Sequence, residues 1–386
     1  MNKVLLYTSF LLAYLFAFAP NLHAQRKEKH HITFKDSLDG AFDMSDYLIY
    51  AHGFIVVPTV ITEPSLGGIG GAVVPIFIKK REPFLDKKTG VERKVNPDMT
   101  GALGMYTANN SWMAGGFRMS TLAKQHITYR IVAGYASLNL SLYRDLPEIG
   151  ETEFEFHFNT IPLYLQALKQ FNNPKWSLGP QYLFLKTEVS LPGENLPDFV
   201  KDKEANNITS QLGLVLQYDS RDNIFTPDKG IRWQTDFFWS DNSIGSDYDA
   251  WRINYSVVGF TPLSKKLIGG FRLEGAQTFQ NTPFYLRPSI NLRGIPGGRY
   301  QADATLQTEA ELRWDVYKRW SAVFFGGAGT AYDNWNAMFE DPARFTYGAG
   351  FRYLLARKFK LRMGIDIARG PEEWAYYVVF GSNWMR

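Results

Sequence analysis

The amino-acid sequence predicts an all-β chain: a transmembrane antiparallel β-barrel of about sixteen strands. Three observations carry this. Thr305 to Asp315 alternates without a break, with Leu306, Thr308, Ala310, Leu312 and Trp314 on one face and Gln307, Glu309, Glu311, Arg313 and Asp315 on the other. Period two over that length is a strand signal, though a soluble sheet with one buried face would show it too. The following run, Phe324-Phe325-Gly326-Gly327-Ala328-Gly329, continues with small residues where an inner wall needs room. An apolar outside around a polar, glycine-rich inside is the pattern of a membrane barrel. Composition agrees: aromatic residues are 16% of the chain and glycines number 33, which suits interfacial belts and tight inner surfaces.

Other classes are excluded one by one. The chain has no cysteine, so it has no disulfide, thiol nucleophile or Cys-based metal site. A closed barrel gives such a chain stability, because every backbone group finds a partner. A net charge of +4, spread along the chain, gives no argument for a nucleic-acid partner. The adjacent pair His30 and His31 reads as solvated, not as a metal site. His126 and His157 are isolated; an outer-membrane lipase would need a Ser, a His and an orienting group in reach. The cluster Gly67-Gly68-Ile69-Gly70-Gly71 lacks the lysine and helix of a phosphate loop. The sequence therefore predicts no catalytic residue, no metal and no cofactor.

In chain order, Met1-Asn2-Lys3 precedes the apolar run Val4 to Phe18 and a small-residue site at Leu22-His23-Ala24. This is a signal peptide, residues 1–24, too short before Pro20 for a membrane anchor. No later apolar run is long enough for a spanning helix. Residues 25–52 begin with a charged cluster and are expected to form a short, flexible periplasmic tail. Residues 53–386 hold the barrel. The expected strands are Gly53–Ile61, Gly67–Ile78, Thr100–Ala108, Trp112–Ser120, Ile127–Leu142, Phe154–Gln170, Trp176–Val189 and Asn207–Asp219. They continue with Ile231–Trp239, Trp251–Thr261, Leu267–Gln280, Thr305–Asp315, Ser321–Asn334, Arg344–Leu355, Phe359–Arg369 and Trp374–Trp384. Arg344, Arg352, Arg362 and Asp366 fall on inner faces. A cation facing lipid at the bilayer midplane costs about 2–4 kcal/mol, so inward placement is required. The connection Lys79 to Asp98 is long where a periplasmic turn should be short. A smaller barrel with a displaced N-terminal hairpin is the alternative.

Three segments resemble the BamA/TamA-type outer-membrane assembly barrels, the bacterial surface antigen family. The first is Arg293-Gly294-Ile295-Pro296-Gly297-Gly298-Arg299-Tyr300, similar to the family's Arg-Gly-aromatic loop tip, which folds back into the barrel. The resemblance implies that Arg293, with Gly294, Ile295, Arg299 and Tyr300, forms a lumenal loop anchor. Its implied strand partners are Glu309, Glu311, Phe325 and Gly327. Ile295 stands where the family has an aromatic, and Gly327 where it has a second acid. The second segment is the turn Asp219, Arg221, Asp222, Asn223, Pro227 and Gly230, expected to be held by local side-chain to backbone bonds. The third is the C-terminal run Tyr376, Val378, Phe380 and Trp384, expected to face outward as an assembly signal.

The resemblance implies an integral protein of the bacterial outer membrane that takes part in inserting or exporting other outer-membrane or surface proteins, or serves as an accessory subunit. A weak seam between first and last strands would do this by strand addition. Family relatives carry periplasmic POTRA domains before the barrel, and residues 25–52 are too few for one. The implied partners are membrane lipid and lipopolysaccharide, client barrels or surface proteins, and accessory subunits or further copies of the chain. The alternative is a passive channel or structural protein with no assembly activity.

Overall fold

A computed structural model describes residues 32–384, leaving out 51–52, 147–149, 281, 340–341 and parts of 80–97 and 194–201. The expected signal peptide and the His30–His31 pair lie outside the described residues.

Sixteen strands form one antiparallel sheet in which each strand pairs with its neighbours in sequence order. They are β1 (Gly53–Ile61), β2 (Gly70–Lys79), β3 (Asp98–Thr107), β4 (Trp112–Leu122), β5 (Ile127–Leu146), β6 (Gly150–Gln170), β7 (Trp176–Ser190) and β8 (Asn206–Asp219). The second half comprises β9 (Gly230–Ser240), β10 (Ala250–Pro262), β11 (Leu267–Gln280), β12 (Ala304–Tyr317), β13 (Trp320–Tyr332), β14 (Arg344–Ala356), β15 (Leu361–Arg369) and β16 (Trp374–Phe380). The N-terminal hairpin belongs to the barrel and is not displaced. The long β2–β3 connection carries its own two-residue ribbon, Phe84–Leu85 with Glu92–Arg93, outside the main sheet.

Alternation decides what each wall presents. Phe54, Phe77, Tyr106, Leu214, Phe271, Phe324, Tyr347 and Trp374 are exposed on the outside, while Arg232, Arg272, Glu309, Arg313, Arg352, Arg362 and Asp366 are buried within. Such a surface suits hydrocarbon as solvent, with charges kept off the lipid face. No helix among the described residues is long and apolar enough to cross a membrane; the strands do the crossing. Neither β1 nor β16 has a second ladder partner among the described residues. These two strands lie side by side at a seam without a continuous register. The seam wall is also short on one side, since β16 has 7 residues, against about 9–11 for a tilted spanning strand.

Strand ends differ from the sequence reading for local reasons. β2 begins at Gly70 because Pro64–Leu66 coils into a 3-10 turn and Gly67 takes φ +82°. β16 stops at Phe380 because Gly381 takes φ +78° and turns the chain. β5 and β6 run 20 and 21 residues, roughly twice the spanning length. Their upper inner faces are apolar. Leu142, Phe156, Phe158 and Val189 pack there with Val200 and with Phe284 from the β11–β12 loop, capping the barrel's extracellular end.

Short turns mark the opposite, periplasmic end. Residues 32–50 dock there, correcting the expectation of a flexible tail over this stretch. Lys35 and Phe42 form a β-bridge, and Ser45–Tyr50 forms helix α1. Asp36, Asp39 and Asp43 all converge on Arg319 of the β12–β13 turn. The sequence reading saw polar residues but not their common partner.

Candidate functional site in the barrel lumen

The β11–β12 loop descends into the lumen, and glycines make its path possible. Ile290, Leu292 and Ile295 form a small buried cluster on it. A Cβ on Gly329 would lie 2.8 Å from Ile290 Cγ2, and one on Gly327 would lie 3.0 Å from Leu292 Cδ2. The bare β13 wall is the loop's seat. At the tip Gly294 takes φ +94°, and a Cβ there would lie 2.7 Å from the Gly370 nitrogen. Only glycine combines that φ with that approach. The Gly294 N–H donates to the Tyr377 hydroxyl at 2.9 Å, tying the tip to β16.

Arg293 is thereby carried into a buried charge network. Its Nε donates to Glu309 Oε1 at 2.8 Å, and its Nη1 donates to Asp366 Oδ2 at 2.8 Å. Nη1 also lies 2.9 Å from Glu311 Oε2, an ion pair not aligned as a hydrogen bond. The guanidinium carbon stands 3.5 Å from the centre of the Phe325 ring, a cation–π placement. Flanking cations share the acids. Arg272 reaches Glu309 at 3.4 Å and Glu274 at 3.3 Å, and Arg352 holds Asp366 at 2.6 and 2.9 Å. Buried charges of this kind repay their desolvation only when paired and hydrogen-bonded. Removing one member therefore costs more than the pair itself contributes. The network links the loop to β11, β12, β14 and β15, so its main effect is to fix the loop against those walls.

Among the expected partners, Glu309, Glu311 and Phe325 meet Arg293, while Gly327 serves Leu292 and offers no acid. The further acid comes from Asp366 on β15. The sequence reading placed Asp366 inward without assigning it, because nothing local to it shows which residue lies across the lumen. Arg272 and Tyr377 were missed for the same reason. Ile295, in place of an aromatic, is buried in the loop's own cluster. Arg299 and Tyr300 lie apart from Arg293. The Arg299 guanidinium stacks 4.5 Å from the Tyr143 ring. The Tyr300 hydroxyl donates to Glu372, and Arg344 covers the Tyr300 ring at 4.6 Å.

The C-terminal run requires a correction. Tyr376 is exposed on the outside and Val378 and Phe380 are half-buried, but Trp384 does not face outward. The chain turns at Gly381 and folds Trp384 into the lumen, where it is 2% exposed. Its Nε1 donates to Glu309 Oε2 at 2.5 Å, and its ring packs on Phe260 at 5.6 Å. Gly270 leaves the slot, since a Cβ there would lie 2.8 Å from the indole. The inward path of Trp384 is the consequence of the turn at Gly381, which alternation alone does not register.

The β8–β9 turn lies at the periplasmic end of the barrel. Asp219 accepts from Arg221, and Asp222 accepts the N–H groups of Asp228 and Lys229 at 3.0 and 3.2 Å. Asn223 Oδ1 accepts from Phe225 and Thr226 at 2.8 and 2.9 Å. Gly230 ends the turn at φ +105°. Beyond these local bonds the turn is held from afar. Pro227 O accepts from Arg313, Asn223 donates to Phe359 O, and the Ser382 N–H donates to Phe225 O at 2.8 Å. Lys360 bridges Asp222 and Asp228; burial pushes the Asp222 carboxyl up, but the hydrogen bonds from Lys360 and from the Asp228 and Lys229 N–H groups together hold it below its usual range.

The fold and parts of the sequence have known counterparts. By structure the chain resembles BamA from Haemophilus ducreyi lacking POTRA domains 1–3, with TM-score 0.58 and 12% identity over 84% of this chain and 69% of that one. It also resembles CdiB from Escherichia coli, with TM-score 0.59 and 10% identity over 84% of this chain, and CdiB from Acinetobacter baumannii, with TM-score 0.56 and 10% identity over 85%. It spans 62% and 59% of those two CdiB chains. At such identities the likeness is one of fold. No curated protein sequence matches the chain significantly. Residues 137–369, from the upper part of β5 to the end of β15, match the Omp85 superfamily domain. That match covers more than half of the sequence and both the lumenal loop and the β8–β9 turn, so the chain belongs to the Omp85 superfamily of bacterial outer-membrane barrels.

Proposed function

We propose that this protein takes part in the insertion or export of outer-membrane or surface proteins, offering a client strand the unpaired edge at its seam. The observation that carries the reading is the β1–β16 boundary. Each of these strands has one ladder partner among the described residues, and β16 is the shortest strand of the wall. Unpaired N–H and C=O groups at such an edge are templates for strand addition. The Arg293 network lies directly behind this edge, through Asp366 on β15 and the Tyr377 hydroxyl on β16. In this reading it keeps the walls on either side of the seam in shape while the edge is engaged. Omp85 barrels are protein assembly and translocation machinery, not enzymes, which supports the same class of role. An accessory subunit or a second copy of the chain would bring clients to the mouth.

The alternative is a passive pore, in which the Arg293 loop and its charge network would line the path. Depletion of the protein followed by quantification of the outer-membrane proteome tests the proposal. Selective loss of other barrels or surface proteins is expected. An unchanged proteome together with altered solute permeability rejects it.

A further inference from the structure

The docked N-terminal segment has two faces of opposite chemistry. One is acidic and turned to the barrel. Arg319 binds Asp36 at 2.6 Å and Asp39 and Asp43 at 2.7 Å, and Arg357 of the β14–β15 turn also pairs with Asp36. The other face is apolar and uncovered. Phe34, Leu38 and Phe42 are 45%, 75% and 49% exposed. The Phe34 ring stacks on Phe42 at 5.9 Å and on Tyr47 at 6.2 Å, so the exposed rings form one patch.

That patch continues the lipid-facing surface of the barrel. Tyr353, on the outer face of β14, donates its hydroxyl to Phe42 O at 2.9 Å. Its ring packs at 5.0 Å against Trp320 of β13, which packs at 5.8 Å against Phe351. Trp320, Phe351 and Tyr317 are all exposed on the outside, at the periplasmic ends of their strands. Aromatic rings at this level of a barrel occupy the membrane–water boundary. The segment is thus an amphipathic strip, clamped by its acids so that its rings extend the girdle sideways.

We propose that residues 33–42 form a membrane-interface anchor whose Phe34, Leu38 and Phe42 lie in the headgroup–acyl boundary of the periplasmic leaflet. The occupant of the patch is lipid, and the proposal is independent of any role in assembling other proteins.

The absence of cysteine makes a direct test available. A nitroxide is attached at Leu38→Cys in the full chain, reconstituted in phosphatidylethanolamine–phosphatidylglycerol vesicles. Its collision rates with oxygen and with a water-soluble nickel chelate are then compared. Phe324→Cys on the lipid face and Asn242→Cys in the β9–β10 loop supply the lipid and water references and show that the barrel is embedded. The expected result is a several-fold excess of oxygen over nickel collisions at position 38, on the lipid side of the water reference. Nickel accessibility equal to that at position 242 overturns the proposal. Shielding from both reagents also overturns it, since protein rather than lipid would then cover the patch.

Discussion

Replacing Arg293 with methionine removes a cation that three buried carboxylates share. The consequences differ among the three. Arg272 still faces Glu309 at 3.4 Å, and Arg352 still holds Asp366 through two hydrogen bonds. Glu311 has no second ion-pair partner among the described residues and is left uncompensated. Breaking a buried pair on one side costs about 3–5 kcal/mol. In a chain of this length each kcal/mol moves the midpoint by roughly 2 °C, so the unfolding midpoint should fall by roughly 6–10 °C. Heat-modifiable gel mobility, which separates folded from unfolded barrel, is the assay. Adding Glu311→Met to Arg293→Met should recover part of the loss, because the orphaned charge is the costly element. Wild-type thermal stability in Arg293→Met, or strictly additive loss in the double variant, would refute the account of this network.

Further expectations follow from single contacts. Trp384→Phe keeps an aromatic ring but loses the bond to Glu309, and should cost about 1.5–3 kcal/mol by the same heat-modifiability assay. Gly370→Ala places a Cβ 1.9 Å from Gly294 O, so it should dislodge the loop tip and expose the loop to added protease on intact cells. Docking of the N-terminal segment should depend on acid. A hydrogen bond from Arg357 foremost lowers the Asp36 pKa, and one from Arg319 foremost lowers that of Asp39. For Asp43, burial is outweighed by hydrogen bonds from Ser45, Arg357 and Arg319, and the net shift is also downward. Carboxylates lowered in the folded state favour docking fully above their unfolded value of about 4, and that contribution is lost as pH falls through the folded values. A nitroxide at position 38 should therefore stay immobilised at pH 7 and 5 and become mobile only at pH values below about 4. Arg319→Ala should mobilise it at neutral pH.

The strands were legible because alternation is local: each inner charge and outer aromatic of β9, β10 and β12 is readable from its own neighbours. The loop anchor was partly legible. Arg293 and Glu311 emerged from a family resemblance, but Asp366 lies 73 positions away along the chain. Its role depends on the loop crossing the lumen, which no window of sequence contains. The inward turn of Trp384 failed for a related reason. Alternation extrapolates a strand until something stops it, and the stop here is a left-handed glycine whose benefit is a bond to Glu309 across the barrel. Residues 32–50 read as a flexible tail because the stretch is polar and no partner for its acids is visible locally. Arg319 satisfies three of them at once, from a turn more than 270 positions further on.

The proposed function requires the β1–β16 seam to be free for a client strand. With no native cysteine present, one cysteine on β1 and one on β16 can be paired across the seam and locked by oxidation. The oxidised barrel, still folded by heat-modifiable mobility, is expected to lose client insertion or export, and reduction to restore it. Full client levels with the seam locked would contradict the account.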